Sequence, residues 1–246
     1  DFAQDSLALP LFRHYRIPES WCPSLVPTFS IQGRLSSQAA SETGLHPGTP
    51  VCYRAGDQPN NAFSLNVLRP GEIAATAGTS GVVYGVQQRL ATDEQSRINA
   101  FAHVNHTATD PRIGILLCVN GTGIANSWLK KNLGGTMTYD ELNQQAAHVP
   151  AGSDHLLFYP FGNGAERMLG NRMVQSHLMN LDFNRHGIGH LARAIQEGIV
   201  YALRYGVDIM TANGMTPRAI KAGKANLFLS PVFRQMFSSL LQVPLE

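Results

Sequence analysis

In the run VCYRAGDQPNNA, residues 51–62, a single carboxylate stands in the tetrapeptide Gly56-Asp57-Gln58-Pro59. A carboxylate within hydrogen-bond reach of a substrate hydroxyl can take its proton while that oxygen attacks a phosphorus atom. In a plain turn the same residue does no more than bond its own backbone. Three glycine turns follow along the chain: AGTSG (77–81), NGTG (120–123) and KAGKAN (221–226). Glycine lets backbone amides come close to a phosphate, and an adjacent Thr or Ser hydroxyl adds a donor, so such turns can cradle a nucleotide. Each has a second reading, since AGTSG between two strand-like runs is equally a hairpin turn that needs residues tolerant of positive φ. The pattern G-x-x-x-x-G-K-[ST] is absent, so a phosphotransferase built on these turns would not be a P-loop enzyme.

Other reactive side chains read as structural. His103 and His106 lie in a loop with no third ligand nearby and are expected to be packed or solvated, and no metal site is expected. Cys22, Cys52 and Cys118 match no metal or disulfide spacing and are expected as reduced core thiols. Asn105-His106-Thr107 and Asn120-Gly121-Thr122 match a glycosylation pattern by coincidence, because DFAQDSLALPLF has neither a basic n-region nor a long apolar stretch.

The elements that must position these residues are legible in outline. A short helix is expected near residues 5–15, and a second at SSQAASETG, stopped by Gly44 and Pro47. VCYRA, EIAATAG and GVVYGV read as strands of one meander. RIGILLCV leads through NGTG into a helix IANSWLKKNLGG that Gly134 ends, and Thr138 with Glu141 forms a capping box. HLLFYPF reads as a buried strand, GNGAERMLGNR as an irregular loop, and KANLFL as a loop after the strand RAIKAG. From His190 to Met210, apolar residues at spacings of three and four predict a long helix with one buried face. Ser230 and Pro231 open a last helix, and VPLE looks like the start of another buried strand.

Composition narrows the function. In a chain of 246 residues, 43% are hydrophobic and 15% charged, against roughly 25% charged in an average soluble domain. Much of the surface is therefore expected to be covered, as by a partner lobe. The net charge is +2 and the basic residues are scattered, which gives no electrostatic footprint for nucleic acid or an anionic membrane. No run of eighteen or more apolar residues exists, so no spanning helix is expected and a cytoplasmic small-molecule enzyme is favoured.

The order AGDQPNNAFSLNVLRPGEIAATAGTSGVVYGV, then HLARAIQEGIVYALRYGVDIM, then AIKAG is similar to the second half of the FGGY-family carbohydrate kinases, most of all to their xylulokinase branch. The resemblance implies an α/β fold, an actin-like, ribonuclease H-like ATPase lobe with a mixed sheet flanked by helices. It implies that residues 1–50 are the tail of the first, sugar-binding lobe and 51–246 the second, nucleotide-binding lobe, cut short at its C-terminal end. It makes Asp57 the catalytic base, with Gln58 beside it at the sugar. Gly78, Thr79, Ser80 and Gly81 become a phosphate hairpin, Gly123 a nucleotide contact five residues before Trp128, and Ala222, Gly223 and Asn226 the adenine side. Glu166 and Arg167 fall near the cleft or form an ordinary loop salt bridge.

The implied partners are ATP, Mg²⁺ and a small sugar, with room for a homodimer. The implied reaction is ATP-dependent phosphorylation of a ketopentose, D-xylulose first. The rivals are a kinase for ribulose, rhamnulose or glycerol, and a non-enzymatic nucleotide switch of the actin or Hsp70 kind. The chain alone is expected to be inactive without the first lobe.

Overall fold

The computed structural model describes Gln4 and residues 6–90 and 92–246. In chain order the elements are α1 (Leu9–His14), β1 (Phe29–Arg34), α2 (Ser37–Thr43), β2 (Pro50–Tyr53), α3 (Asp57–Ser64), β3 (Glu72–Ala77), β4 (Gly81–Gln87), β5 (Asn99–Ala102) and β6 (Ile113–Val119). There follow α4 (Thr122–Leu133), α5 (Tyr139–Ala147), β7 (Leu157–Phe161), β8 (Gln175–Met179), α6 (Ile188–Ala212), β9 (Ala219–Ala222) and α7 (Pro231–Leu241).

The centre is a mixed five-stranded sheet in the order β5-β6-β4-β3-β9, in which only β3 and β9 run parallel. Side chains alternate across its two faces. Ile73, Ala75, Val83, Ile115 and Leu117 join the core built with α6 and α7, while Ala74, Tyr84 and Val86 pack with Ala62 of α3 on the other face. With both faces covered, β4 has no exposed residue, which is why GVVYGV is apolar throughout instead of alternating. The chain's last residues run beside β9, where Ile220 N–H donates to Pro244 O at 2.9 Å and Glu246 N–H to Ile220 O at 2.8 Å. The strand-like VPLE is thus paired.

Several expectations are corrected. Asp57 does not sit in a turn: it is the first residue of α3, with Gly56 as an extended N-cap. Pro59 is tolerated because the first N–H groups of a helix have no intrahelical partner. The strand in VCYRA belongs to no meander, since β2 pairs with β1 in a separate two-stranded sheet whose Phe29 and Tyr53 stack and meet Phe63 of α3. HLLFYPF is not a buried strand. Of β7 only Pro160 is buried, and β7 forms its own hairpin with β8, leaning on α6 through Phe158 and Phe161. Two segments read as loops contain 3₁₀ turns, Glu166–Leu169 and Asn226–Leu229, because Met168, Leu227 and Phe228 turn inward to the core.

The 25-residue α6 is wrapped more fully than one apolar face predicts. Arg193 and Glu197 are buried as a pair, Nε to Oε1 2.7 Å, and Glu197 Oε1 also accepts from Gly152 N–H at 3.0 Å. The three cysteines are free, but none is a core residue and Cys52 is exposed. Among the described residues no helix is long and apolar enough to cross a membrane.

Candidate functional site

The turn between β3 and β4 meets the start of α4 backbone to backbone. Ala77 pairs with Gly81 across the hairpin, so Gly78, Thr79 and Ser80 form its tip. Gly78 O accepts from Gly123 N–H at 2.7 Å and from Thr122 Oγ1 at 3.0 Å, and Thr79 O accepts from Ile124 N–H at 3.3 Å. These carbonyls satisfy donors that the first turn of α4 would otherwise leave unpaired. The approach demands glycine, since a Cβ at Gly123 would lie 2.7 Å from the Gly78 carbonyl carbon.

Beside this junction is a cavity of about 260 Å³. Gly78 and Thr79 from the hairpin, Gly123, Asn126 and Ser127 from α4, Tyr139, Asp140 and Asn143 from α5, and Asn226 from the turn after β9 line it. Asn226 holds a left-handed φ of 52°, and its Nδ2 reaches to within 3.4 Å of where a Gly78 Cβ would stand. The α5 wall is fixed from behind: Gln196 Nε2 donates to Asn143 Oδ1 at 3.0 Å, and Ser230 Oγ donates to Gln196 Oε1 at 2.9 Å. Tyr139 O–H donates to Ser127 Oγ at 3.2 Å, tying α5 to α4. The lining offers backbone amides, side-chain amides and hydroxyls with one carboxylate, Asp140, beside the apolar Ala77, Leu227 and Leu229, which suits a ligand with both hydrogen-bonding groups and an apolar face.

Of the residues the sequence singles out, Gly78, Thr79, Gly123 and Asn226 converge on this cavity. Gly81 does not line it: it is buried under Thr122 and Leu203, where any Cβ would collide with the Thr122 methyl. Ser80 points instead to Asn120 Oδ1 at 3.4 Å. Ala222 and Gly223 line a different depression, with Lys224 and Arg234, because the 3₁₀ turn carries the chain on so that Asn226, Leu227 and Leu229 reach the cavity. Asp57 and Gln58 also lie outside it. Asp57 is exposed and its Oδ1 accepts from Gln58 N–H at 2.7 Å.

Around the hairpin the polar groups are specific. The Cys118 thiol is pushed up to about 11 by burial and by the neighbouring Glu166 carboxylate, so it stays protonated. No Glu166–Arg167 salt bridge forms: Arg167 reaches Asn99 instead. Behind α3, His103 Nε2 is 2.9 Å from Val67 O, which requires the proton on that nitrogen and leaves Nδ1 to accept from Tyr84 O–H at 3.0 Å. Burial lowers the His103 pKa and raises that of Tyr84. His106 is engaged as an acceptor for Arg112 N–H at 3.1 Å, so the two histidines are packed residues. Among the described residues no three His, Cys, Asp or Glu side chains come together as a metal site.

The cavity-lining Asn126, Ser127, Tyr139, Asp140 and Asn143 were missed by the motifs. The one available signal was the capping box at Thr138 and Glu141, which places the first turn of α5 and hence Tyr139 and Asp140.

The model of the FGGY family of carbohydrate kinases, C-terminal domain, matches residues 73–246. Gluconokinase of Bacillus subtilis is 32% identical over 229 residues, which cover 89% of this chain and 43% of that protein. A xylulose kinase of Staphylococcus epidermidis is 29% identical over 194 residues, 78% of this chain and 38% of that one. The chain spans less than half the length of these relatives. In structure it is similar to xylulose kinase from Rhodospirillum rubrum, with TM-score 0.85 and 27% identity over 100% of this chain and 48% of that one. Gluconate kinase from Lactobacillus acidophilus shares the fold at TM-score 0.86 and 21% identity, over 98% of this chain and 48% of that one. The mixed sheet flanked by helices is therefore the actin-like, ribonuclease H-like ATPase lobe, and the chain belongs to the FGGY family of carbohydrate kinases.

Proposed function

We propose that this chain is the nucleotide-binding half of an ATP-dependent sugar kinase, with Asp57 as general base. The observation that carries it is the convergence of Gly78, Thr79, Gly123 and Asn226 on one polar cavity, on a sheet whose other face carries the helix that begins with Asp57. The close backbone junction, which leaves no space for a Cβ at Gly123, fits a phosphate cradle. In this reading ATP supplies the phosphoryl group. The amides of the hairpin hold its phosphates, while Asn226 and Asn126 meet its base and sugar. Asp57 takes the proton of the attacking sugar hydroxyl as the new O–P bond forms and the bond to the departing ADP breaks, with Gln58 orienting the sugar. Mg²⁺ belongs to the same proposal, although among the described residues no cluster of three or more His, Cys, Asp or Glu side chains fits it.

Residues 1–50 remain, in this proposal, the tail of a sugar-binding lobe, 51–246 the nucleotide-binding lobe, and the setting cytoplasmic. Membership of a carbohydrate kinase family supports the enzyme reading over a nucleotide switch. For the acceptor, D-gluconate now stands level with D-xylulose, because relatives named gluconokinase and xylulose kinase are 32% and 29% identical. A coupled assay of ADP release by the full-length protein, across D-xylulose, D-gluconate, ribulose, rhamnulose and glycerol, separates them. Asp57→Asn is expected to lose at least ~10²-fold in kcat with ADP affinity unchanged, and full turnover in that variant would remove Asp57 from the mechanism.

A further inference from the structure

Lys221 is the third residue of β9 and stands one residue before Ala222-Gly223, the turn that leads to Asn226. Its side chain crosses under the sheet face that carries α3. Nζ donates to Asn66 O at 2.7 Å and lies 3.1 Å from Glu72 Oε1, and each of the two side chains is only 15% exposed. Asn66 follows Leu65, the C-cap of α3, so an ammonium sits at the C-terminal end of that helix, where the macrodipole favours positive charge. The other oxygen of Glu72 accepts from Leu68 N–H at 2.8 Å and from Arg69 N–H at 2.9 Å. Burial alone would raise the Glu72 pKa, but those amides and Lys221 hold it below the usual carboxylate range. The loop 66–69 is thereby clamped, and Gly223 lies beside the end of α3, where a Cβ added to it would stand 4.0 Å from Leu65 Cδ2.

We infer that Lys221, with Glu72, is a positioning residue that makes the placement of Asp57 depend on nucleotide at the Asn226 side of the cavity. The helix that opens on Asp57 closes on the atoms Lys221 holds, and the strand that carries Lys221 closes on the turn that reaches the cavity. A rigid helix of 8 residues transmits a shift at one end to the other. This inference rests on the nucleotide and base assignments proposed above.

The test is amide hydrogen exchange in the full-length protein with and without ADP, together with the kinetics of Lys221→Met and Lys221→Arg. ADP is expected to slow exchange in residues 57–64 of the parent, and Lys221→Met to abolish that slowing. A misplacement of the base by about 1 Å predicts a kcat lower by ~10- to 100-fold in Lys221→Met, with partial rescue in Lys221→Arg. If ADP leaves exchange in 57–64 of the parent unchanged, the inference fails whether or not the variants fold. It fails equally if Asp57→Asn abolishes turnover while Lys221→Met keeps both kcat and the ADP-linked slowing. Full turnover in Asp57→Asn would instead overturn the base assignment.

Discussion

The junction of hairpin and helix makes Gly123→Ala the most decisive single substitution. The added methyl would lie 2.7 Å from the Gly78 carbonyl carbon and 3.3 Å from Thr79 N, and far inside the contact distance of the carbonyl oxygen. All three are backbone atoms, so no rotamer change relieves the clash. Carbon atoms in ordinary contact sit about 3.5–4.0 Å apart, so α4 and the hairpin must separate by roughly 1 Å. Overpacking of this kind costs about 1–3 kcal/mol, and the hydrogen bond from Gly123 N–H to Gly78 O, 2.7 Å in the parent, is weakened or lost, at about 1 kcal/mol. Alanine's better helix propensity offsets up to about 1 kcal/mol. A net loss of about 1–3 kcal/mol lowers the melting temperature by roughly 2–12 °C for a chain of this size. Displacing the cradle should also weaken ADP binding by at least about tenfold.

Differential scanning fluorimetry and titration calorimetry with ADP on the full-length protein read both effects. Gly33→Ala is the control, because a Cβ there meets nothing within 4 Å. A Gly123→Ala protein that melts and binds ADP as the parent does would show that the junction is neither tight nor part of the nucleotide site.

Two further predictions concern buried polar groups. His103 is held neutral by burial, its folded pKa below the unfolded value of about 6.5. The unfolded chain therefore gains a proton before the folded one does, and stability falls as pH drops below about 6.5. Urea unfolding at pH 7.5 and 5.5 should show this loss in the parent and a smaller one in His103→Gln. Within α6, removing one member of the buried Arg193–Glu197 pair should cost about 3–5 kcal/mol. The double replacement Arg193→Met with Glu197→Met should cost less than either single change if the uncompensated charge is the cause, as chemical denaturation of the three variants would reveal.

What the sequence made legible follows from how local each signal is. The capping box of Thr138 and Glu141, the Gly134 stop, the Ser230-Pro231 start and the period of α6 are each written within a few residues, and each element is found. The strand β1 was hidden by its prolines upstream and by Gly33, and is held by a partner across a helix, which no local pattern records. Asp57 was read as a turn because Gly and Pro flank it, although both residues are compatible with a helix start. For the site, glycine spacing found the hairpin and Gly123. It did not find Asn126 or Asn143, since ordinary helix residues become cavity walls only through the packing of α4, α5 and α6. Glycine spacing likewise could not tell that Ala222 and Gly223 line a separate depression while Asn226 reaches the cavity, because the 3₁₀ turn Asn226–Leu229 sets which residues of this segment face it.

The stitched hairpin has one more consequence, which concerns the direction of peptide planes. In a trans peptide the N–H points opposite to the C=O of the same unit. Gly78 O and Thr79 O are both anchored toward α4, so the N–H groups of Thr79 and Ser80 are aimed away from it. The tip is thus a fixed pair of parallel dipoles with their positive ends outward. Their orientation is settled when the lobe folds, so in the proposed nucleotide site a phosphate would meet them without having to reorder the loop.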